Sequence, residues 1–359
     1  MNNTSVNKPV IGICVSKKKR LMSELVERRI KRFHGNASFI KFHVEDLDFK
    51  NFQVKGECFE KKTRNWIEGI FSFPDVVYVQ CHIEKEILEQ IEQIIGRKVF
   101  NNFIFDKWQA SDLLTKDDFL QRSLPDTQQL KNETNLQQFL NNYQDIILKP
   151  IDVTKGHSSR GIFRVKLQNN EKIVVFFAKR QEMKVKDFLS FDDFFEWFSV
   201  KTSGKDYIIQ QSIQTMTWGE NTTDIRLNMN KNGQGKWEVS VLLFRVATNG
   251  SHMIPKVATA LTINNLIKMY PEDSKKWQDI EKDITTLGHI ICQDFEYHGY
   301  HMGNLGIDLG LDDNGHLWIF EVNPLPFPLD GTVNDESLTK PLEYALYLAS
   351  NKNKKRLFF

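Results

Sequence analysis

The chain has 359 residues, is 40% hydrophobic and 26% charged, and carries a formal net charge of +2. That length suits two or three lobes rather than one core, and the near-neutral balance argues against nucleic acid or an anionic membrane as a partner. Its four cysteines, Cys14, Cys58, Cys81 and Cys292, show no CxxC spacing, which excludes a zinc ribbon and suits a reducing compartment.

The first hundred residues alternate strand and helix. Val10 to Val15 reads as a buried strand, followed by a basic amphipathic helix from Leu21 to Arg32 and an alternating strand from Ser38 to Val44. A helical stretch is expected near Thr63 to Phe71, a strand from Pro74 to Val79, and a helix from Glu84 to Ile95 with Ile87, Leu88, Ile91, Ile94 and Ile95 on one stripe. Such alternation predicts a parallel sheet. No GxGxxG turn follows the first strand, which argues against a dinucleotide site.

A second unit opens near Asn102, with a helix start at Asp106-Lys107. The Gln- and Asn-rich stretch from Gln128 to Gln144 has the apolar spacing of a helix. Asp145 to Pro150 is a strand that holds Lys149 and runs into a polar loop, Thr154-Lys-Gly156-His-Ser158-Ser159-Arg160-Gly161. Two strands follow (162–167 and 172–178), then aromatic-rich helical sequence from Val185 to Val200, then a strand from Asp206 to Gln211. Long antiparallel strands carry Asp224-Ile-Arg226 and Arg245 around a turn at Asn232-Gly233. A helix from about Trp277 to His298 leads to the last hairpin, and His298 and His301 read as structural.

That hairpin, Gly306 to Pro324, is the most informative segment. An apolar strand holds Asp308, Asp-Asn-Gly forms the turn, and Leu-Trp-Ile-Phe ends on Glu321 and Asn323, which share a face. Two carboxylates and an amide oxygen are the hard-oxygen set that suits Mg²⁺ when phosphates complete the shell. Lysines suit phosphate oxygens, a glycine loop admits backbone N–H groups to them, and arginines suit a developing anion. In this order they describe phosphoryl transfer from ATP to a carboxylate. A structural ion-pair role for Arg226 and Arg245 is the less favoured alternative.

Leu148-Lys-Pro through Arg160-Gly-Ile162, with Asp224-Ile-Arg226, Arg245 and Asp308…Glu321-Val-Asn323-Pro324, resembles the ATP-grasp superfamily. Phe73-Pro-Asp-Val-Val-Tyr78, Phe100-Asn-Asn, Lys107-Trp108 and Ile209-Gln-Gln are similar to its YheC/YheD group of endospore coat-associated proteins. The resemblance covers nearly the whole chain. It implies an ATP-grasp α/β fold with an α+β lid: an N-terminal α/β lobe over 1–105, an ATP-grasp region over 106–345 with its lid at about 150–206, and a basic tail over 346–359.

It further implies that Lys107 and Lys149 meet ATP phosphates or the adenine edge. Gly156, Ser158, Ser159, Arg160 and Gly161 would cover the phosphates, and Gln210, Gln211 and Ile213 would form the adenine hinge, with only one of the two glutamines able to face the nucleotide. Arg226 and Arg245 would bind the transferred phosphoryl or the substrate carboxylate. Asp308, Glu321 and Asn323 would hold Mg²⁺, with Mn²⁺ as an alternative ion.

The implied activity is a carboxylate–amine (or carboxylate–thiol) ligase acting through an acylphosphate on substrates the sequence does not name. A nucleotide-binding assembly factor meeting spore-coat proteins, and a small-molecule kinase, are the other readings. The N-terminus lacks a signal-peptide core and no apolar run could span a bilayer, so a cytoplasmic location is expected, with spore-coat association implied by the resemblance alone. The chain departs from the group's pattern at His157, at 254–261 where related chains carry Gly-Gly, at Asn304 in place of an acid and at Gln80 in place of an arginine.

Overall fold

The computed structural model describes residues 8–17, 20–151, 161–168, 172–179, 182–248, 257–326 and 336–351. Three sheets organise them. In the first, Val10–Cys14 pairs in parallel with Ser38–Phe42 and with Val76–Val79, and Val99–Phe100 extends the parallel run. These strands are mostly apolar because both faces are covered; Lys41, the charged exception, pairs with Glu57 on the neighbouring strand. The helix Lys85–Ile95 packs on one side, with Ile91, Val77 and Val99 in its core. The helices Arg20–Arg32 and Lys340–Ser350 cover the other, where Val26, Ile30, Leu342 and Ala345 meet Ile11, Ile13 and Tyr78.

Two expectations change here. Residues 63–71 are not helical: Asn65–Ser72 is an edge strand paired along its whole length with Gln53–Glu60. Trp66, Ile67, Ile70 and Phe71 fit the helical spacing, yet the β-branched and aromatic content prevails once a cross-strand partner is present. The basic tail also starts later than 346, because residues 346–350 complete the helix Lys340–Ser350; only 352–359 lie outside the described residues. Cys14 and Cys81, far apart in sequence, bring their sulfurs to 3.8 Å at the ends of neighbouring strands.

The second sheet is antiparallel, in the order Glu182–Phe188, Ile173–Lys179, Phe163–Leu167, Asp145–Pro150, Tyr207–Gln211, Thr127–Gln129. It therefore draws on 127–211, a wider span than 150–206. Within it, 127–129 and 182–188 are strands rather than helix starts. The helices begin later, at Glu133 behind an Asn132 cap and at Phe191 behind a Ser190 cap, each cap oxygen accepting a backbone N–H three residues on. One face of the sheet buries Ile146, Leu148, Val165 and Ile209 under these two helices. The other face carries Lys149 and Gln210.

The third sheet, also antiparallel, runs Val257–Leu261, Trp237–Ala247, Asn221–Lys231, Asn304–Leu311, Leu317–Asn323. Its apolar face (Ile225, Leu227, Met229, Leu305, Ile307, Leu309, Val322) packs on the long helix Ser274–Tyr297 through Ile284, Leu287, Ile291 and Phe295. The first and third sheets meet at a polar seam. There the Tyr78 hydroxyl donates to Asn304 Oδ1 at 3.0 Å, and His301 Nε2 lies 2.5 Å from the Tyr344 hydroxyl.

Because Leu342 is fully buried in the core of the first lobe, Leu342→Ala is expected to cost about 2–5 kcal/mol, read as a lower denaturant midpoint for that lobe. An unchanged midpoint would show that the C-terminal helix is not integral to it.

Candidate nucleotide and phosphoryl-transfer site

Strand alternation builds the charged face of the third sheet. While Ile225, Leu227 and Met229 point to the core, Asp224, Arg226 and Asn228 point the other way. The register sets Arg226 opposite Asp308, Asp308 opposite Glu321, Gly306 opposite Asn323, and Asp224 opposite Arg245. Arg245 forks onto Asp224 with two 2.6 Å bonds and reaches Asp308 Oδ1 at 3.0 Å. Arg226 donates to that same oxygen at 3.0 Å through Nη1 and to Asn228 Oδ1 at 2.9 Å through Nε. A Cβ at Gly306 would lie 2.7 Å from Arg226 Nη2, so only glycine leaves that guanidinium its place.

The network sets its own ionisation. Burial alone would raise the Asp308 carboxyl, but Arg226 and Arg245 outweigh it and hold the group at about 2. Asp224 shares Arg245 with Asp308, and its burial prevails, pushing it up to about 6. The two act on stability in opposite directions. Asp308 stabilises the fold above its ordinary 3.8, a contribution lost as pH falls toward about 2. Asp224 imposes a cost that is absent below 3.8 and complete above about 6.

Across from this face lies the polar face of the second sheet. Lys149 Nζ donates to Gln210 Oε1 at 2.5 Å and to the Phe320 carbonyl at 3.3 Å, and Gln210 Nε2 donates on to Thr127 Oγ1 at 3.0 Å. Burial and then the nearby Lys107 charge bring Lys149 down to about 8. Lys107 is the first residue of the helix Lys107–Leu114, fixed by an Asp106–Gln109 capping box, and its ammonium is ion-paired with Glu321.

Between the two faces is a cleft lined by Lys107, Lys149, Ile208, Gln210, Phe320 and Glu321 among others, with a free volume of only ≈ 20 Å³. A nucleotide needs some hundreds of Å³, roughly 300–1,000, so the faces must part to admit one. A broader open groove at the rim of the second sheet, around Phe188 and Leu189, shares no residue with this cleft.

Among the residues expected from the sequence, Lys107, Lys149, Gln210, Arg226, Arg245, Asp308 and Glu321 come together around this cleft and the adjoining ion network. Of the two glutamines, Gln210 lines the cleft. Gln211 instead accepts from the Asp126 N–H at 3.4 Å, and half-buried Ile213 lies past the strand end, outside the cleft lining. Asn323 Oδ1 accepts from the Leu325 N–H at 3.1 Å and keeps a second lone pair. Gly161 is in the left-handed region at φ 85°, whereas Gly156, Ser158, Ser159, Arg160 and His157 lie outside the described residues, as do 249–256.

The sequence assigns no role to Asp224 or Gly306, although both lie in its motifs, and does not single out Asn228 or Thr127. Asp224 had a signal, its position two before Arg226 on the same strand face. The departures Gln80 and Asn304 turn out to share a partner, since both bond the Tyr78 side chain.

Among the described residues no group of three or more His, Cys, Asp or Glu side chains is placed to hold a metal. The donor set here is smaller, Asp308 and Glu321 with the Asn323 amide. It fits a hard divalent ion provided that phosphate oxygens supply the remaining ligands. A cation already rests on Glu321 in the form of the Lys107 ammonium.

Three sheets arranged this way, with a lysine-bearing antiparallel sheet over a carboxylate–arginine face, define an ATP-grasp protein. The likeness extends to solved structures: the VanG D-Ala:D-Ser ligase of Enterococcus faecalis (14% identical, TM-score 0.58, 95% of this chain and 99% of that one). The N5-carboxyaminoimidazole synthase of Aspergillus clavatus, solved with ADP and 5-aminoimidazole ribonucleotide, is also similar (12%, 0.57, 95% and 77%). The chain belongs to the YheC/D-like ATP-grasp family, whose model matches residues 96–348. It is 23% identical over 336 residues to the endospore coat-associated protein YheD of Bacillus subtilis (strain 168), covering 88% of this chain and 71% of that protein. To YheC of the same organism it is 22% identical over 332 residues, covering 88% and 90%.

Removing Arg245 leaves Asp224 and Asp308 short of their shared cation. Arg245→Met is expected to destabilise the protein by about 3–5 kcal/mol at neutral pH, less at pH values where Asp224 takes up a proton. Urea midpoints on the two sides of about pH 6 check this; a loss independent of pH would exclude Asp224 as the source.

Proposed function

We propose that this protein is an ATP-dependent carboxylate–amine ligase working through an acylphosphate. The observation that carries the reading is the convergence of Arg226 and Arg245 on Asp308, beside Glu321 and facing Lys149 across the cleft. Four basic side chains (Lys107, Lys149, Arg226, Arg245) there outnumber three acids (Asp224, Asp308, Glu321), and a surplus of positive charge in a buried cleft favours an anionic ligand. A D-Ala:D-Ser ligase shares the fold, and the residues here supply the parts that such a reaction needs.

In the first step a carboxylate oxygen of the substrate attacks the γ-phosphorus of ATP, the bond to the β-bridging oxygen breaks, and ADP leaves with the electron pair. In the second, an amine nitrogen attacks the acyl carbon, inorganic phosphate departs with the C–O electrons, and the nitrogen gives up a proton. Lys107 and Lys149 bind phosphate oxygens, and Gln210 orients Lys149 from behind. Arg226 and Arg245, held rigid by Asp308, Asp224 and Asn228, stabilise the charge on the phosphoryl group in flight. Asp308, Glu321 and Asn323 would hold a divalent ion, which when bound neutralises phosphate charge. No side-chain nucleophile is needed; positioning and charge do the chemistry.

The names of YheD and YheC support a second reading, a nucleotide-binding coat-assembly factor with little turnover. Association with the spore coat is proposed on that ground only. Among the described residues no helix is long and apolar enough to cross a membrane.

Glu321→Gln is expected to abolish divalent-ion-dependent phosphate release with candidate acids and amines while the melting transition stays cooperative; undiminished release would remove Glu321 from the site. Lys149→Ala is expected to weaken ATP binding by about 1.5–3 kcal/mol, the size of a charge-assisted hydrogen bond. Phosphates should also restore the proton that burial draws from Lys149. Near its value of about 8 the wild type should therefore take up protons on binding ATP, seen as a buffer-dependent calorimetric enthalpy that Lys149→Ala loses. An enthalpy independent of buffer would place Lys149 away from the phosphates.

A further inference from the structure

The Lys107–Glu321 pair has a second use, and the inference rests on the nucleotide-and-metal reading of the cleft. We propose that Lys107 acts as a built-in counter-ion that holds Glu321 closed to divalent ions until a nucleotide phosphate draws the lysine away. Metal and nucleotide would then enter together, and the protein alone would take up no ion at this site.

Three observations carry the proposal. Lys107 stands at the first position of a helix, where the helix dipole disfavours a positive charge, and it is 6% exposed, so neither helix stability nor hydration accounts for it there. What compensates the buried ammonium is Glu321, its ion-pair partner. Both arginine bonds to Asp308 end on one oxygen, Oδ1, so the arginines do not by themselves block Oδ2. Of the two carboxylates, Glu321 is thus the one whose availability is switched, and Lys107 is the switch.

The cleft does not readily hold both cations. With a free volume of ≈ 20 Å³ beside Lys107 and Glu321, an arriving ion would lie against the ammonium, and repulsion between the two charges would drive one of them out. Expelled without a new partner, the lysine would be an uncompensated buried charge, an expensive state. A nucleotide polyphosphate changes the balance because it offers Lys107 anionic oxygens in exchange for Glu321. The exchange conserves ion pairs: lysine passes from carboxylate to phosphate, and the carboxylate passes from lysine to metal. Lys107 is in this sense a positioning residue for metal entry as well as a phosphate ligand.

The test uses Mn²⁺ as the probe, with binding read from the loss of its free-ion electron paramagnetic resonance signal in protein without nucleotide. Wild type and Glu321→Gln should bind Mn²⁺ equally poorly. Lys107→Met, which keeps the side-chain length and removes the charge, should bind Mn²⁺ at least about tenfold more tightly than wild type, a low bound for relieving repulsion between unit charges ~4 Å apart. The double variant Lys107→Met, Glu321→Gln should lose that gain.

The proposal is overturned if wild type binds Mn²⁺ alone through Glu321, or if folded Lys107→Met gains nothing. Should Lys107→Met fail to fold, wild type and Glu321→Gln decide with and without ADP: wild-type Mn²⁺ binding through Glu321 without nucleotide refutes the latch, as does no dependence on Glu321 in either state, and binding through Glu321 only when ADP is present upholds it. A failure of the nucleotide reading would show separately, as no calorimetric binding of ATP by wild type, and would leave these Mn²⁺ measurements readable.

Discussion

A charged residue on an inner sheet face must be paired or excluded, and the third sheet obeys that constraint at every position of its site. Strand alternation delivers Asp224, Arg226 and Asn228 to one face, and the partners on flanking strands are set by register rather than by chance. A one-residue slip of Asn304–Leu311 would carry Asp308 into the apolar packing against the helix Ser274–Tyr297 and strip Arg226 of its acid. Register, core packing and charge pairing therefore specify one another. The rigidity that follows is useful to a phosphoryl-transfer site, which needs its guanidinium groups placed before the charge develops.

The second sheet faces a looser requirement. Lys149 is held by an amide and a carbonyl rather than an acid, which leaves its charge uncompensated at close range and its proton weakly held. Gln210, Thr127 and the Phe320 carbonyl set its direction without neutralising it. The arginine–Asp308 network on one face of the cleft is thus electrostatically closed, whereas Lys149 on the other awaits an anion.

Legibility in the sequence followed the range of the interactions. The final hairpin could be read because its turn, its alternation and its acid–amide ending are all local. So could Lys149, at a strand end beside a glycine loop, and Arg226, two residues from Asp224. The stretch 65–72 is ambiguous in sequence because Trp66, Ile67, Ile70 and Phe71 satisfy two periods, and only the partner strand Gln53–Glu60 decides between them. The strand 182–188 merged with the following helix for a similar reason, aromatics running across a Ser190 cap. What stayed hidden were pairings across distance: Lys107 with Glu321, Gln210 with Lys149, and Gln80 with Asn304 through Tyr78. Each residue type could be noticed alone, but who neutralises whom is a property of the folded sheet order.

The C-terminal helix has a consequence for how the protein is made. Leu342, Tyr344 and Ala345 fill the core laid down by the first strands, and Tyr344 packs against Phe100 edge-on at 5.1 Å between ring centroids. Synthesis proceeds from the other end, so this sheet waits with one apolar face partly bare while the whole ATP-grasp region is translated. The helix Lys340–Ser350, translated after every strand it covers, is the element that closes the first lobe. A chain lacking this helix would keep that apolar face exposed, a signal legible to a chaperone or a protease.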